Sequence, residues 1–176
     1  MSRSDNTLDL MNLQLTDAEQ EEQLIIFSVG EEEFGLDVLC VQEIIRYLKP
    51  TKIPHAPEFM EGVINFRGEV IPIISMRKRF GIDGLNTDNN VIIVIEHSGR
   101  VFGLTVDAVS DLQNLPKDKI QRRFDYTIEE KTKYLRAMGK MEDRLILILD
   151  LEKIIDLDSE IIPEEIKQSI NKEGGE

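Results

Sequence analysis

The residues that could support catalysis or metal binding are few and scattered along this chain. His55 and His97 are its only histidines and Cys40 is its only cysteine, which is too few for the clustered nitrogen and sulfur ligands of a zinc site. The acidic run 31–33 stands between turn signals, where a solvated surface is the simplest interpretation. The sequence holds neither a phosphate-binding glycine loop nor a Gly-x-Ser-x-Gly nucleophile motif. These residue types therefore predict a protein without a catalytic centre of its own.

The turn 65–69 is the strongest candidate for a binding site. It joins two apolar runs, and Gly68 suits the positive φ that a tight turn requires, so we expect Arg67 to project outward at the tip. The plainest alternative is a solubilising surface arginine, because most exposed charges contribute little energy.

An internal repeat helps to separate these two interpretations of Arg67. The run 34–36 returns at 102–104, an offset of 68 residues, and the apolar runs on either side of it repeat as well. In the second copy Glu142 stands where the first copy has Arg67, and Asp143 follows it. The fold therefore accepts the opposite charge and does not itself require arginine at this turn, which favours a functional role for Arg67.

Glu43 is preserved in kind across the repeat, since Asp111 stands at the matching position. An acid in both copies favours a local structural role, such as capping or pinning a turn, over recognition of a partner.

The surrounding apolar runs are short, rich in isoleucine and valine, and separated by turn signals, which predicts an all-β fold of hairpins. Each copy supplies four or five such runs, and so few strands most economically close into a small barrel without exposed edges. We therefore predict two pseudo-symmetric barrels that pack against each other, each followed by a short helix. The predicted segments are an acidic tail at 1–21, a first barrel unit at 22–84, a second unit at 85–157 and an acidic tail or short helix at 158–176, with the barrel-end helices at 75–80 and 151–155.

The net charge of −13 lies almost wholly at the two ends of the chain. Residues 1–33 hold nine acids against one base, and residues 150–176 hold nine acids against three bases. Acidic ends repel phosphate, which argues against a nucleic-acid partner. No apolar run approaches the roughly 18 residues of a membrane span, and the amino terminus lacks the layout of a signal peptide. We therefore expect a cytoplasmic protein without direct membrane insertion.

Taken together, these motifs resemble those of the CheW family of chemotaxis coupling proteins. The resemblance covers residues 24–156 and rests on the segments 34–44 and 62–72, in which the order Asn-x-Arg-Gly is specific. It implies two five-stranded, SH3-like barrels and a non-catalytic adaptor, without a cofactor, that links methyl-accepting chemoreceptors to the regulatory domain of the histidine kinase CheA. Association with membrane receptor arrays would follow through these partners. The resemblance also implies receptor-binding roles for four residues: Val41, Glu43, Gly62 and Arg67.

Two other classes of function remain open on the residues alone. The first is a small-barrel module that binds a ligand or nucleic acid, and the acidic ends and the lack of an aromatic platform count against it. The second is an enzyme whose site is completed by a partner subunit, and the missing ligand, phosphate and nucleophile motifs count against it. The fold alone does not decide between them, because small barrels host many functions.

Overall fold

Eleven β-strands and two short α-helices make up most of the computed structural model, which describes residues 20–84, 87–122 and 133–155. The strands are β1 (Glu21–Val29), β2 (Glu32–Asp37), β3 (Val41–Arg46), β4 (Met60–Phe66), β5 (Glu69–Ser75), β6 (Val91–His97), β7 (Arg100–Val106), β8 (Ala108–Pro116), β9 (Ile120–Gln121), β10 (Leu135–Met141) and β11 (Arg144–Leu149). The helices are α1 (Met76–Arg79) and α2 (Leu151–Ile155), and 3-10 turns lie at Val38–Cys40 and Lys117–Lys119. The predicted all-β class and the helix after each closing hairpin are confirmed.

The strands form two sheets, each of which curls into a small barrel. Barrel 1 has the strand order β8-β1-β2-β11-β10-β9, and barrel 2 has the order β3-β6-β7-β5-β4. In both barrels the ring is closed by the chain segment that comes just after the first strand of the order. In barrel 1, β9 follows β8 and pairs with β10. In barrel 2, Thr51 follows β3 and forms a bridge with Val63 of β4. The two barrels therefore share one strand arrangement, as the repeat predicts.

The barrels exchange strands between the two copies of the repeat. Hairpin β1–β2 of the first copy pairs with β8 and, in parallel, with β11 of the second copy. Hairpin β6–β7 of the second copy pairs with β3 and, in parallel, with β5 of the first. The connections explain this, because a single 3-10 turn separates β2 from β3 and Asp107 alone separates β7 from β8, so the chain runs on into the other barrel. The barrels therefore do not coincide with the expected units 22–84 and 85–157, neither of which contains a complete barrel.

A shared apolar core joins the two barrels. The largest buried cluster draws on both of them and includes Phe27 and Phe34 of barrel 1 and Phe102 of barrel 2. Phe34 stacks on Phe80, just beyond α1, with ring centroids 4.6 Å apart. Smaller apolar clusters fill the interior of each barrel. The barrels are thus halves of one packed body.

Burial explains why the apolar runs are strands. In β3 and β8, half-buried residues alternate with exposed ones, as expected for strands with one solvated face. In β6, Ile93 and Ile95 face the shared core, while Ile92 and Val94 face the interior of barrel 2. That strand is apolar on both faces because both faces are covered.

A mostly buried ion pair also ties the barrels together. Asp107 accepts hydrogen bonds from Arg77 of α1, from Nε at 2.8 Å and from Nη2 at 2.6 Å. The backbone N–H of Gly30, in the turn between β1 and β2, donates to the same carboxylate at 2.8 Å. One carboxylate thus connects a turn of barrel 1, the helix of barrel 2 and the crossing between them, through the bidentate geometry that makes such contacts strong.

Neither helix is long or apolar enough to cross a bilayer, and the described ranges contain no other helix that is. The tails expected at 1–21 and 158–176 lie almost wholly outside the described residues.

Candidate functional site

The tip of hairpin β4–β5 is a rigid two-residue turn. Arg67 and Gly68 have φ angles of 51° and 83°, the positive values of a hairpin turn that matches the twist of its strands. The side-chain oxygen Oδ1 of Asn65 accepts the backbone N–H of Gly68 at 3.0 Å, which braces the turn. Arg67 projects outward with 72% of its side chain exposed, as the turn motif predicts.

Glu43 of β3 reaches the same tip. Its Oε2 lies 2.8 Å from Nη2 of Arg67, and the guanidinium also lies 5.1 Å from the ring centroid of Phe66. An ion pair this exposed contributes at most about 1 kcal/mol to stability, so its main effect is to orient the arginine. The structure brings together two residues that the sequence presented separately, and it gives Glu43 a contact with the residue at the tip of the turn.

Gly62 has a structural reason to be glycine. Its φ of 143° lies in a region that L-residues rarely adopt, and a Cβ there would overlap the carbonyl oxygen of Thr51. This close approach lets Thr51 and Val63 exchange two backbone hydrogen bonds of 2.9 Å, which close barrel 2. Gly62 therefore supports the surface from beneath and offers no side chain to a partner.

Val41 begins β3 and is half-buried against the shared core, so it anchors the strand that carries Glu43. Leu39, in the 3-10 turn before β3, is a further candidate that the motifs did not indicate, and it is 89% exposed. Ile44 is 39% exposed on the outward face of β3. The repeat held the signal, because Asp107 occupies the position of Leu39 in the second copy. Because Ile44 lies on the face of β3 opposite Glu43, we call Val41, Glu43, Gly62 and Arg67, with Leu39, the candidate surface.

The second hairpin, β10–β11, carries the opposite charge at its tip. Glu142 has a positive φ of 52°, and Arg144, which begins β11 just after the tip, donates to both carboxylate oxygens of Glu33 at 2.9 and 2.7 Å. Arg144 also lies 3.7 Å from Asp111. The hydrogen bonds from Arg144 hold the pKa of Glu33 below its usual value, and the same contacts raise the pKa of Arg144. Arg144 is thus held by two carboxylates with 37% of its side chain exposed, whereas Arg67 pairs with one carboxylate and is 72% exposed, which makes it the more accessible to a partner.

The remaining candidates for chemistry stand apart from one another. The described residues hold no group of three or more histidine, cysteine or acidic side chains that could bind a metal ion. His97 lies 3.5 Å from Glu152, and His55 stands in a separate turn with a φ of 64°. Burial, with a smaller contribution from the charge of Asp37, raises the pKa of the Cys40 thiol, so less of it is present as the reactive thiolate. These side chains do not form a catalytic pair.

An exposed hairpin tip on a two-barrel core suits binding to a partner. The turn is braced by Asn65 within the chain, so it is preorganised for contact with a partner. The class that this fold and site define is a small all-β scaffold of two SH3-like barrels.

Within that class, the chain belongs to the CheW-like domain family, whose family model matches residues 23–159. It is 34% identical over 149 residues to the chemotaxis protein CheW of Klebsiella aerogenes, which covers 84% of this chain and 90% of that protein. It is 37% identical over 133 residues to the chemotaxis protein CheW of Rhizobium meliloti, covering 75% of this chain and 86% of that one. The resemblance seen in the motifs is confirmed.

A solved structure agrees with these sequence relatives. The crystal structure of the scaffolding protein TtCheW from Thermoanaerobacter tengcongensis is similar to this chain with a TM-score of 0.69 and 36% identity. The match covers 74% of this chain and 89% of that one.

Proposed function

We propose that this protein is a chemotaxis adaptor without catalytic activity, which couples methyl-accepting chemoreceptors to the histidine kinase CheA. The family supports the chemotaxis role, since the similar proteins are named chemotaxis protein CheW and the similar structure is named a scaffolding protein. A two-barrel body with a braced, exposed tip suits a protein that acts by holding partners together.

The observation that carries the proposal is the difference between the two hairpin tips. Both tips adopt positive φ at the projecting residue, yet one presents Arg67 and the other Glu142. The fold accepts either charge, so an arginine oriented by Glu43 and left exposed is best explained by use in recognition. A receptor surface with acidic groups would complement Arg67.

The four receptor-binding candidates have two kinds of role in this proposal. Arg67 and Glu43 present charge to the receptor, whereas Val41 and Gly62 hold the strands that carry those charges. The regulatory domain of CheA binds a different surface, because an adaptor must hold both partners at once. The protein acts in the cytoplasm and reaches membrane receptor arrays through these partners, without a cofactor or a nucleic-acid partner.

Co-sedimentation with a receptor signalling domain and CheA tests the proposal. Arg67→Glu should weaken receptor binding by about 2 kcal/mol, roughly 30-fold, because it removes an interface arginine and adds repulsion against acidic partner groups. Glu142→Arg is the matched control, since it makes the opposite change at the equivalent turn. This control should bind the receptor as the wild type does.

Thermal unfolding of both variants separates binding from folding. Each should unfold near the wild-type temperature, because each turn accepts the charge of the other. Equal receptor binding by the wild type and Arg67→Glu would refute the receptor surface. Stable transfer of a phosphoryl group from CheA to this chain would refute an adaptor without catalytic activity.

A further inference from the structure

Glu61 lies at an irregularity of β4, directly before Gly62. The pairing of β4 with β5 steps from Met60 opposite Ile74 to Gly62 opposite Ile73, so Glu61 is the extra residue of a β-bulge. A bulge interrupts the alternation of a strand and re-aims the side chain at that position. The side chain of Glu61 is half-buried in barrel 2 as a result.

The carboxyl group of Glu61 is surrounded by hydroxyl groups. Its Oε2 accepts hydrogen bonds from Thr105 of β7 at 3.2 Å and from the hydroxyl of Tyr47, just after β3, at 3.4 Å. Its Oε1 is buried, and no residue in the described ranges donates a well-formed hydrogen bond to it. The hydroxyl of Ser75 is also close enough to donate to this carboxyl group, while its oxygen accepts the backbone N–H of Lys78.

Two charged side chains act on this site. Lys78 of α1 attracts the carboxylate, and Asp88, in the loop before β6, acts on the neighbouring hydroxyl of Tyr47 with the opposite sign. Burial raises the pKa of Glu61 above its ordinary value of 4.5, and the hydrogen bond from Thr105, the charge of Lys78 and the hydrogen bonds from Tyr47 and Ser75 offset part of that rise. The folded protein therefore favours the protonated form of Glu61 more than the unfolded chain does.

In the second copy of the repeat, the residue equivalent to Glu61 is charged but has an ion-pair partner. Strand β10 has the same bulge, between Leu135 and Ala137, and its extra residue is Arg136. Arg136 forms an ion pair with Glu22 of β1 at 2.6 Å. In barrel 2 the position equivalent to Glu22 is 68 residues further along the chain and is taken by Asn90, which carries no charge. The bulge of barrel 1 thus holds Arg136 in an ion pair. The bulge of barrel 2 holds Glu61, which forms no ion pair with the residues that the structure describes.

We propose that Glu61 is a positioning residue. Its protonation stabilises barrel 2, in which β3 carries Glu43 and hairpin β4–β5 carries Arg67. A neutral carboxyl avoids the cost of burying a charge and provides a donor for the polar atoms around it. Glu61 joins the two segments that carry the candidate surface, because Tyr47 follows β3 and Gly62 is the next residue of β4. An effect of Glu61 protonation on receptor binding rests on the proposed function, whereas the effect on the stability of barrel 2 does not.

The sign of the pH effect follows from proton linkage. The folded carboxyl keeps its proton to a higher pH than the unfolded one, so its contribution to stability is fully present below 4.5 and is lost as the pH rises through the raised pKa of the folded state. Glu22 and Glu33, whose pKa values are lowered, act in the opposite direction. The effect of Glu61 is therefore measured as a difference between variants.

Denaturant unfolding at several pH values compares the wild type with Glu61→Gln and Glu58→Gln. Glutamine keeps the shape and does not ionise, so the midpoint of Glu61→Gln should rise relative to the wild type as the pH increases above 4.5. Glu58→Gln removes the same charge at an exposed position and should follow the wild type. Parallel midpoint curves for the wild type and Glu61→Gln would overturn the proposal.

Thr105→Val keeps the test decisive even where Glu61→Gln folds poorly. This variant removes one hydrogen-bond donor to the carboxylate with little change of shape. The decrease of its unfolding midpoint relative to the wild type should therefore grow as the pH rises and Glu61 ionises. In the Glu61→Gln background the loss should stay constant across the same pH range. A pH-independent loss with Glu61 present would overturn the proposal.

Hydrogen exchange locates the effect within barrel 2. After correction for the chemical exchange rate, amides of 47–51 and 60–66 should lose protection with rising pH in the wild type but not in Glu61→Gln. A uniform change across both barrels would contradict a positioning role. Receptor binding is measured apart from this: normal binding by Arg67→Glu together with a Glu61-dependent response of these amides would refute the receptor surface and leave the positioning role in place.

Discussion

At the scale of single residues, two glycines of hairpin β4–β5 are constrained in different ways. Gly62 has a φ of 143° and lies against the backbone of Thr51, whereas Gly68 has a φ of 83° with open space where a Cβ would stand. Conformation and contact both fix the first glycine, and conformation alone fixes the second.

Gly62→Ala should therefore destabilise the protein by about 3 kcal/mol or more, because the strained φ and the overlap with Thr51 add. Gly68→Ala, its matched control, should cost about 1 kcal/mol, since only the positive φ opposes alanine there. Denaturant unfolding of the two variants measures the difference. Equal losses would mean that Thr51 moves aside easily, in which case contact does not explain Gly62.

The roles of single residues were predictable where a turn motif or the internal repeat indicates them without knowledge of the fold. Gly68 indicates the tight turn and hence the outward position of Arg67. The pairing of Glu43 with Arg67 was not predictable, because it depends on how barrel 2 closes around residues that are distant in sequence. Glu61 was hidden as well, since a bulge breaks the alternation of a strand without changing its apolar composition.

At the scale of elements, the two crossings between the barrels determine the architecture. Apolar runs and turn residues are local signals, so the sequence predicted the strands, the hairpins and the short closing helices. The exchange of strands was not predictable, because hairpins β1–β2 and β6–β7 have nearly the same pattern and would suit either set of partner strands. The second crossing is also a polar anchor, where Asp107 meets Arg77 and Gly30.

Asp107→Asn should destabilise the protein by about 2–3 kcal/mol, because it leaves the mostly buried guanidinium of Arg77 without an anionic partner. Asp88→Asn removes an acid from an exposed position and should change stability by no more than about 0.5 kcal/mol. Thermal and denaturant unfolding of both variants provide the comparison. If Asp107→Asn matched the control, the apolar core alone would hold the barrels in place.

At the scale of the whole molecule, the two barrels are one folding unit. Each barrel takes its first hairpin from one copy of the repeat and its other strands from the other copy, and the largest apolar cluster spans both. Neither copy alone contains partners for all of its strand edges, so the repeat in the sequence is not a division of the fold.

The fragments 20–84 and 85–157 should each remain largely unfolded alone and should regain β-structure when they are mixed, because every barrel needs strands from both. Circular dichroism and size-exclusion chromatography follow the recovery. The uninterrupted chain 22–157 is the control, and it should unfold cooperatively without either acidic tail. Cooperative unfolding of either fragment by itself would contradict the importance of the exchanged pairing.

The exchange of strands also sets the order in which the protein can fold as it is synthesised. Hairpin β1–β2 leaves the ribosome first, yet its partners β8 and β11 lie in the second half of the chain, so barrel 1 closes only when translation is nearly complete. Barrel 2 has all of its strands once β7 has emerged. In that interval the first hairpin presents open edges to other nascent chains. We expect rapid production of this protein to depend on chaperones that shield that one hairpin.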